Sequence, residues 1–194
     1  MTESSLDRRE AVATLLKDRG DLLVVTGLGS PTYDVHAAGD HDGNYYLWGA
    51  MGGAALVGLG LAQARPDRRV LVVTGDGEQL MGLGGLATIG IARPKNLVVA
   101  VLDNGHFGET GMQRSHTGLG LDIAEVARSC GLAAETIHDM AGVEALRASL
   151  GRAGEGPRLA VLKVKAENLP RSLPSRDAVY IKTRFRAQLG LAAS

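Results

Sequence analysis

Two short polar segments, each placed directly after an apolar run, carry the residues best suited to chemistry. Gly75-Asp76-Gly77-Glu78 follows residues 69–74 (RVLVVT) and opens a predicted helix. Glycines at the start of a helix leave backbone N–H groups open to an anion such as phosphate. Asp76 would repel a bare phosphate, and a Mg²⁺ ion between the carboxylate and the phosphate oxygens removes that repulsion. The first segment therefore predicts a metal-assisted phosphate site.

The second segment, Asp103-Asn104-Gly105-His106, lies at the end of the apolar run 96–103 (NLVVAVLD). Asn104 follows Asp76 by 104 − 76 = 28 residues, close to the roughly 30 residues of one βαβ crossover. Adjacent parallel strands lie about 4.8 Å apart, so both side chains are expected to reach one ion. Carboxylate, amide and carbonyl oxygens are normal ligands of Mg²⁺.

Other phosphate motifs fit less well. No GxxxxGK[ST] sequence occurs, and Leu80 occupies the third glycine position of a dinucleotide fingerprint. A glycine-rich strand–helix turn of purely structural use, with Glu78 capping the helix, is the alternative interpretation.

The elements that must position these segments alternate along the chain. Apolar runs predict strands, and amphipathic or small-residue stretches predict helices. Strands are expected at 21–26, 69–74, 96–103, 134–138 and 158–164, and helices from a cap at Ser5 to Gly20 and at 48–64, 78–92, 121–130 and 142–153. This order predicts an α/β fold, a doubly wound parallel sheet with helices on both faces.

The loops after the first three strands, beginning at Gly27, Gly75 and Asn104, are expected to meet at the carboxyl edge of the sheet. Residues 27–47 and 104–120 are interpreted as long loops. We expect residues 1–194 to form a single domain, with the polar tail 166–194 at a subunit interface.

Composition excludes several classes of function. Lys and Arg together number 21, as do Asp and Glu, so the formal net charge is zero and neither nucleic acid nor a membrane surface is an expected partner. Cys130 is the one cysteine, which excludes a disulfide framework, a cysteine-ligated zinc site and an iron–sulfur cluster. With neither a signal peptide nor a membrane span evident, a cytoplasmic location is expected.

The pattern GDG, then 28 residues from aspartate to asparagine, resembles the signature of thiamine-diphosphate-dependent enzymes. The resemblance implies the thiamine-diphosphate-binding fold, with thiamine diphosphate and Mg²⁺ as cofactors. It implies Asp76, Asn104 and the backbone carbonyl of His106 as metal ligands. Asp103 stands where the family usually has the first of two asparagines.

The segment Trp48–Gly53 (WGAMGG) adds to the resemblance. Met51 matches the bulky residue that holds the cofactor bent, and Gly49 matches a position whose carbonyl bonds the aminopyrimidine ring. The other positions that the resemblance places against the cofactor are Gly29, Ser30, Ala50, Gly75, Gly77, Glu78, His106 and Phe107.

Three stretches, 45–62, 75–90 and 102–117, resemble more closely the β subunits of sulfopyruvate and phosphonopyruvate decarboxylases. This implies a small anionic 2-oxoacid substrate and a separate pyrimidine-domain α subunit, most simply in an α₂β₂ assembly. That subunit would supply the activating glutamate. His36 and His116 are candidate catalytic residues alongside Met51. The stretch 111–117 (GMQRSHT) departs from the commoner GGQPT ending and leaves the substrate open.

Other functions stay open. A carboligase of the acetolactate synthase type is disfavoured because those enzymes carry three domains in one chain. The β subunit of a 2-oxoacid:ferredoxin oxidoreductase is disfavoured because one cysteine cannot hold its cluster. A non-catalytic nucleotide-binding or regulatory module is the alternative from another class.

Overall fold

Six parallel strands form the central sheet, in the order β2-β1-β3-β4-β8-β7. The computed structural model describes residues 6–191. The strands are β1 (Leu23–Thr26), β2 (Asn44–Tyr46), β3 (Val70–Gly75), β4 (Leu97–Asp103), β7 (Ala133–Ile137) and β8 (Arg158–Lys163). Between β4 and β7, the short strands β5 (His106–Phe107) and β6 (Gln113–Arg114) form a separate antiparallel hairpin.

Helices cover both faces of the sheet, so the predicted α/β doubly wound parallel sheet is confirmed. They are α1 (Arg8–Leu16), α2 (Ser30–Ala37), α3 (Ala54–Ala64), α4 (Asp76–Met81), α5 (Gly85–Ala92), α6 (Ile123–Ser129), α7 (Met140–Leu150) and α8 (Ala178–Gln188). Side chains of α1, α2 and α7 pack into the core on one face, and those of α3, α5 and α6 into the core on the other. Strands β1, β3, β4 and β8 are mostly apolar because both of their faces are buried, whereas the edge strand β7 is partly exposed.

Small residues bring α3 against the sheet. A Cβ on Gly58 would lie 2.3 Å from Cγ2 of Val72, so only glycine allows this approach of helix to strand. The sequence pattern places the helix start at residue 48, and this is wrong because α3 begins at Ala54. Gly49 and Gly52 have φ values of +74° and +91°, which a right-handed helix excludes.

Two further regions differ from the prediction, and a third lies partly outside the described residues. Residues 27–47 hold α2 and the edge strand β2 rather than a continuous loop. The helix predicted at 78–92 begins at Asp76 and is divided into α4 and α5 by residues 82–84. The expected helix cap at Ser5 lies outside the described residues, and Asp7 caps α1 by accepting a hydrogen bond from the N–H of Glu10 at 2.8 Å.

The tail packs against its own domain. Its helix α8 contacts the edge strand β2, with Ile181 and Phe185 buried and the Phe185 ring 5.4 Å from that of Tyr45. Arg184 forms an ion pair with Asp40 at 2.6 Å. Among residues 6–191, no helix combines the length and apolar character needed to cross a membrane.

Candidate active site

A cavity of about 200 Å³ lies at the carboxyl edge of the sheet, beyond the ends of β1, β3 and β4. This is the edge where parallel α/β sheets bind ligands. Segments from all three loops line it, together with Met51. Of the residues singled out by sequence, those on its wall are Ser30, Met51, Gly75, Asp76, Gly77, Glu78, Asn104, His106 and Phe107.

Asp76 is the buried carboxylate of this cavity. It directly follows β3 and is 3% exposed. The hydroxyls of Ser115 and Thr117 donate hydrogen bonds to its Oδ2 at 2.5 Å and 3.0 Å. Burial raises the pKa of Asp76, and the nearby charge of Asp103 raises it further, while these hydrogen bonds lower it. Nothing in residues 6–191 gives Asp76 an ion-pair partner.

Asp103, at the end of β4, has a different environment. The Lys163 ammonium lies 2.5 Å from its Oδ2, and Thr117 donates to its Oδ1 at 2.7 Å. The N–H of Gly105 donates to the same oxygen at 2.9 Å. Asp103 is thus occupied by structural contacts, and a metal role falls more naturally to Asp76.

Asn104 and His106 form a tight turn directly after β4. The N–H of His106 donates to Asn104 Oδ1 at 2.9 Å, and His106 Nδ1 lies 2.8 Å from the backbone oxygen of Asn104. This turn fixes the Asn104 amide, whose oxygen keeps a second lone pair for another partner. β3 and β4 pair in parallel with Gly75 opposite Leu102, so Asp76 and Asn104 leave neighbouring strand ends.

Glu78 connects two walls of the cavity. Its Oε2 accepts a hydrogen bond from the N–H of Leu28 at 2.7 Å, and the side chain is 4% exposed. A Cβ on Gly27 would lie 1.8 Å from that oxygen, so a larger residue there would force the Glu78 carboxylate to move. Burial raises the pKa of Glu78, and the Leu28 hydrogen bond opposes this rise.

Two glycines, one at the start of α4 and one just before α2, allow close approaches or a positive φ at the helix starts. A Cβ on Gly77 would lie 2.7 Å from the ring of Phe107, which covers the first turn of α4. Gly29 has a φ of +77° and precedes α2, whose first residue Ser30 faces the cavity. Both helices begin at this edge, so the positive ends of their dipoles point toward it.

Met51 stands on the turn before α3. Its side chain is 43% exposed and lines the cavity. The backbone of Gly52 presses on Gly82, where a Cβ would lie 2.1 Å from the Gly52 oxygen. Gly49 and Ala50 belong to the same exposed turn but do not line the cavity.

The two histidines proposed as catalytic are not on the cavity wall. His36 lies in the last turn of α2, with Nδ1 2.8 Å from the Ser172 hydroxyl and its ring against Tyr46. His116 is exposed beside the cavity, with its ring centre 6.3 Å from that of Phe107. A catalytic role for either one stays a prediction.

The donor set fits Mg²⁺. Within the described residues, no group of three His, Cys, Asp or Glu side chains could hold a metal. Softer transition metals favour sites built from His nitrogen and Cys sulfur atoms. Mg²⁺ instead binds one or two carboxylates together with neutral oxygens, phosphates and water. Asp76, Asn104 and the His106 carbonyl form a set of that kind, and the carboxylate without a cationic partner favours a divalent ion beside it.

Sequence reasoning missed several residues of the site. Ser115 and Thr117 hold Asp76, Lys163 holds Asp103, and Arg8 lines the cavity from the start of α1. Each acts across a long sequence separation, so no local pattern signals it.

Comparison with known proteins identifies the family to which the chain belongs. The family model described as "Thiamine pyrophosphate enzyme, C-terminal TPP binding domain" matches residues 36–164. Sulfopyruvate decarboxylase subunit beta of Methanothermobacter thermautotrophicus is 35% identical over 180 residues, or 93% of this chain and 94% of that one. The subunit of the same name from Methanocaldococcus jannaschii is 42% identical over 110 residues, or 57% of this chain and 58% of that one.

Phosphonopyruvate decarboxylase of Streptomyces viridochromogenes is 39% identical over 170 residues. That match covers 86% of this chain but only 42% of the longer relative. The chain therefore spans about half the length of some of the curated relatives that it matches.

Solved structures agree in fold. Benzoylformate decarboxylase from Polynucleobacter necessarius superposes with a TM-score of 0.71 at 18% identity, covering 86% of this chain and 34% of that one. A thiamine diphosphate-dependent 4-hydroxybenzoylformate decarboxylase from Rhodococcus jostii RHA1 gives 0.69 at 20% identity, with the same coverage. With the family match over residues 36–164, the chain belongs to the thiamine pyrophosphate enzyme family, as a C-terminal TPP-binding domain.

Proposed function

We propose that this chain is the β subunit of a thiamine-diphosphate-dependent 2-oxoacid decarboxylase of the sulfopyruvate and phosphonopyruvate type. One observation carries the proposal. Asp76 and Asn104 leave adjacent strand ends and line the same cavity as Met51. The relatives are named as decarboxylases or decarboxylase subunits, which supports decarboxylation as the reaction.

Asp76, Asn104 and the His106 carbonyl would hold Mg²⁺, and the N–H groups at the starts of α2 and α4 would bind the cofactor diphosphate. The bound cofactor supplies an electron sink for the carbanion that forms when a 2-oxoacid loses carbon dioxide. Residues of this chain orient and shield the site. Met51 would press on the cofactor between its rings, and Phe107 covers the glycine turn that faces the diphosphate.

The glutamates near the site are already engaged, which supports a partner subunit. Glu78 accepts from the Leu28 N–H, Glu109 pairs with Arg171 at 3.0 Å, and Glu125 pairs with Arg128 at 2.7 Å. Glu78 and Glu109 line the cavity beside the groups proposed to bind the diphosphate, and Glu125 is not on its wall, so we expect none of them to reach the far edge of a pyrimidine ring. The activating carboxylate is therefore assigned to a pyrimidine-domain α subunit, in line with relatives named as β subunits.

An α₂β₂ assembly in the cytoplasm completes the proposal. The tail 166–194 would contribute to the interface through its outer side, where Val179 and Tyr180 are 69% and 50% exposed. Substrates would carry a second anionic group, because sulfopyruvate and phosphonopyruvate both do. Arg114 and His116, exposed near the cavity, are the proposed contacts for it, and His36 is kept as a candidate for proton transfer.

Reconstitution tests the proposal. The chain is purified alone and with a co-expressed pyrimidine-domain subunit, and release of carbon dioxide from sulfopyruvate, phosphonopyruvate and pyruvate is measured with thiamine diphosphate and Mg²⁺. We expect activity only with both subunits, at a rate that depends on the concentration of each. Full activity of the isolated chain would refute the shared site. Ligated products without free aldehyde would favour the carboligase alternative.

A further inference from the structure

We infer that Arg8 is a further cofactor-binding residue, whose guanidinium bonds the diphosphate within the same cavity. The inference rests on the proposed function, because it assigns another contact within the same site. Arg8 is the first residue of α1 and lines the cavity together with Asn104 and Val164.

Arg8 is an unusual buried charge. It is 3% exposed, and its Nη1 donates to Asp34 Oδ2 at 2.7 Å. Its Nε is also buried and has no hydrogen-bond partner among residues 6–191. A buried donor without a partner costs free energy that a bound acceptor would recover. A residue that lines the cavity therefore has a guanidinium with donor capacity left.

The charges around Arg8 do not cancel. Asp34 is fully buried and also receives Nε of Arg9 at 3.1 Å, so one carboxylate faces two guanidinium groups. The position does not serve α1 either, because the positive end of a helix dipole disfavours a cation in the first turn. The cluster of Arg8, Arg9 and Asp34 therefore carries one net positive charge.

A diphosphate is the anion that this excess fits. Mg²⁺ with the Asp76 carboxylate leaves one net positive charge, which does not neutralise a diphosphate. Charge-assisted bonds from arginine to phosphate oxygens are the strong kind of hydrogen bond, with a fork geometry suited to phosphate. Arg8 would supply the second positive charge, next to the helix N-terminus at Ser30.

Calorimetry on the reconstituted complex of this chain with the pyrimidine-domain subunit tests the assignment. Binding of thiamine diphosphate and of thiamine monophosphate is measured in MgCl₂ for the wild type, Arg8→Met, Arg8→Lys and Arg9→Met. Arg9→Met is the matched control, because it also removes a guanidinium from Asp34 but from a residue outside the cavity wall. Losing one charged hydrogen bond should weaken diphosphate binding about tenfold to a hundredfold in Arg8→Met.

The ratio of the two affinities separates a direct contact from a structural role. We expect Arg8→Met to lose much of the preference for diphosphate over monophosphate, Arg8→Lys to lose part of it, and Arg9→Met to keep it. Equal ratios in Arg8→Met and Arg9→Met would overturn the assignment. Arg8→Lys retains a charge for Asp34, so an unchanged ratio in that variant would overturn it even if Arg8→Met does not fold. Absence of binding by the wild type would instead refute the proposed function itself.

Discussion

Asp76 and Asp103 share one hydroxyl group: Thr117 Oγ1 lies 3.0 Å from Asp76 Oδ2 and 2.7 Å from Asp103 Oδ1. A hydroxyl has a single proton to donate, so it cannot fully satisfy both carboxylates at once. Lys163 compensates Asp103. Asp76 is left as the carboxylate that gains most from a divalent cation, and this asymmetry supports the metal role proposed for it.

Replacing Asp76 by asparagine removes a buried charge that has no cationic partner among the described residues. We expect Asp76→Asn to raise the free energy of unfolding of the metal-free chain at pH 7, by on the order of 1 kcal/mol. The same variant should lose the added stability that Mg²⁺ with thiamine diphosphate gives the wild type. Thermal unfolding with and without the cofactors measures both effects.

Asp122→Asn is the matched control, because Asp122 caps α6 through the N–H groups of Ala124 and Glu125, away from the cavity. That variant should keep the full response to Mg²⁺ and cofactor. An equal loss of response in both variants would contradict the assigned metal ligand.

The raised pKa of Asp76 gives the site a defined pH dependence. The metal binds the ionised carboxylate, so the stability added by Mg²⁺ and cofactor should shrink as the pH falls toward this raised pKa, which lies above 3.8. Without metal the sign is opposite. A raised pKa in the folded state favours the protonated form, so that contribution is complete at low pH and is lost as the pH rises through the folded-state value.

Melting curves from pH 4 to pH 8, with and without Mg²⁺ and thiamine diphosphate, check this dependence. The increment due to the cofactors should decline toward acid in the wild type and should be absent throughout in Asp76→Asn. An increment that grows toward acid would contradict the account.

Met51→Ala tests the residue that would hold the cofactor bent. The side chain is 43% exposed, so its loss should change stability little, and diphosphate binding should stay close to wild type. Turnover of the reconstituted enzyme should fall about tenfold, because poorly oriented reacting groups react slowly. Met81→Ala is the control: Met81 is 65% exposed and lies off the cavity wall. Turnover within twofold of wild type for Met51→Ala would make Met51 an ordinary packing residue.

The edge of the sheet that holds the cavity could be predicted from sequence because its information is local. β3 and β4 are apolar runs that end directly before Asp76 and Asn104, and the glycines of the turn indicate the proposed phosphate side. The α/β order of the elements then requires the two strand ends to be neighbours. The sheet class and the meeting of the loops follow from these features.

The parts that sequence did not predict depend on distant contacts. Asp34 is a buried polar residue in α2 that only Arg8 and Arg9 make tolerable, so residues 30–37 look like part of a polar loop. Likewise, the sequence of α8 looks like a polar tail, because the contact of Phe185 with Tyr45 joins residues that are far apart in the chain. The sequence pattern does not locate the start of α3, because the turn at 48–53 is rich in small residues that suit either a helix or a turn.

Gly82→Ala tests the contact that supports the Met51 turn. A Cβ there would lie 2.1 Å from the Gly52 oxygen, and backbone on both sides must shift. We expect a loss of about 1–3 kcal/mol in the free energy of unfolding, together with lower turnover as Met51 moves. Gly84→Ala is the matched control, because no atom lies within 4 Å of an added Cβ, and it should be close to neutral. Similar unfolding curves for the two variants would contradict the close approach of Gly52 and Gly82.

The central claim is that this chain binds the diphosphate of thiamine diphosphate through a metal held by Asp76. Titration calorimetry of the reconstituted complex with thiamine diphosphate tests it most directly, in Mg²⁺ and in EDTA, with the wild-type chain and with Asp76→Ala. We expect the wild type to bind thiamine diphosphate in Mg²⁺ but not in EDTA. We expect Asp76→Ala to show no binding in either condition. Binding that is unaffected by EDTA, or that persists with the same metal dependence in Asp76→Ala, would contradict the account.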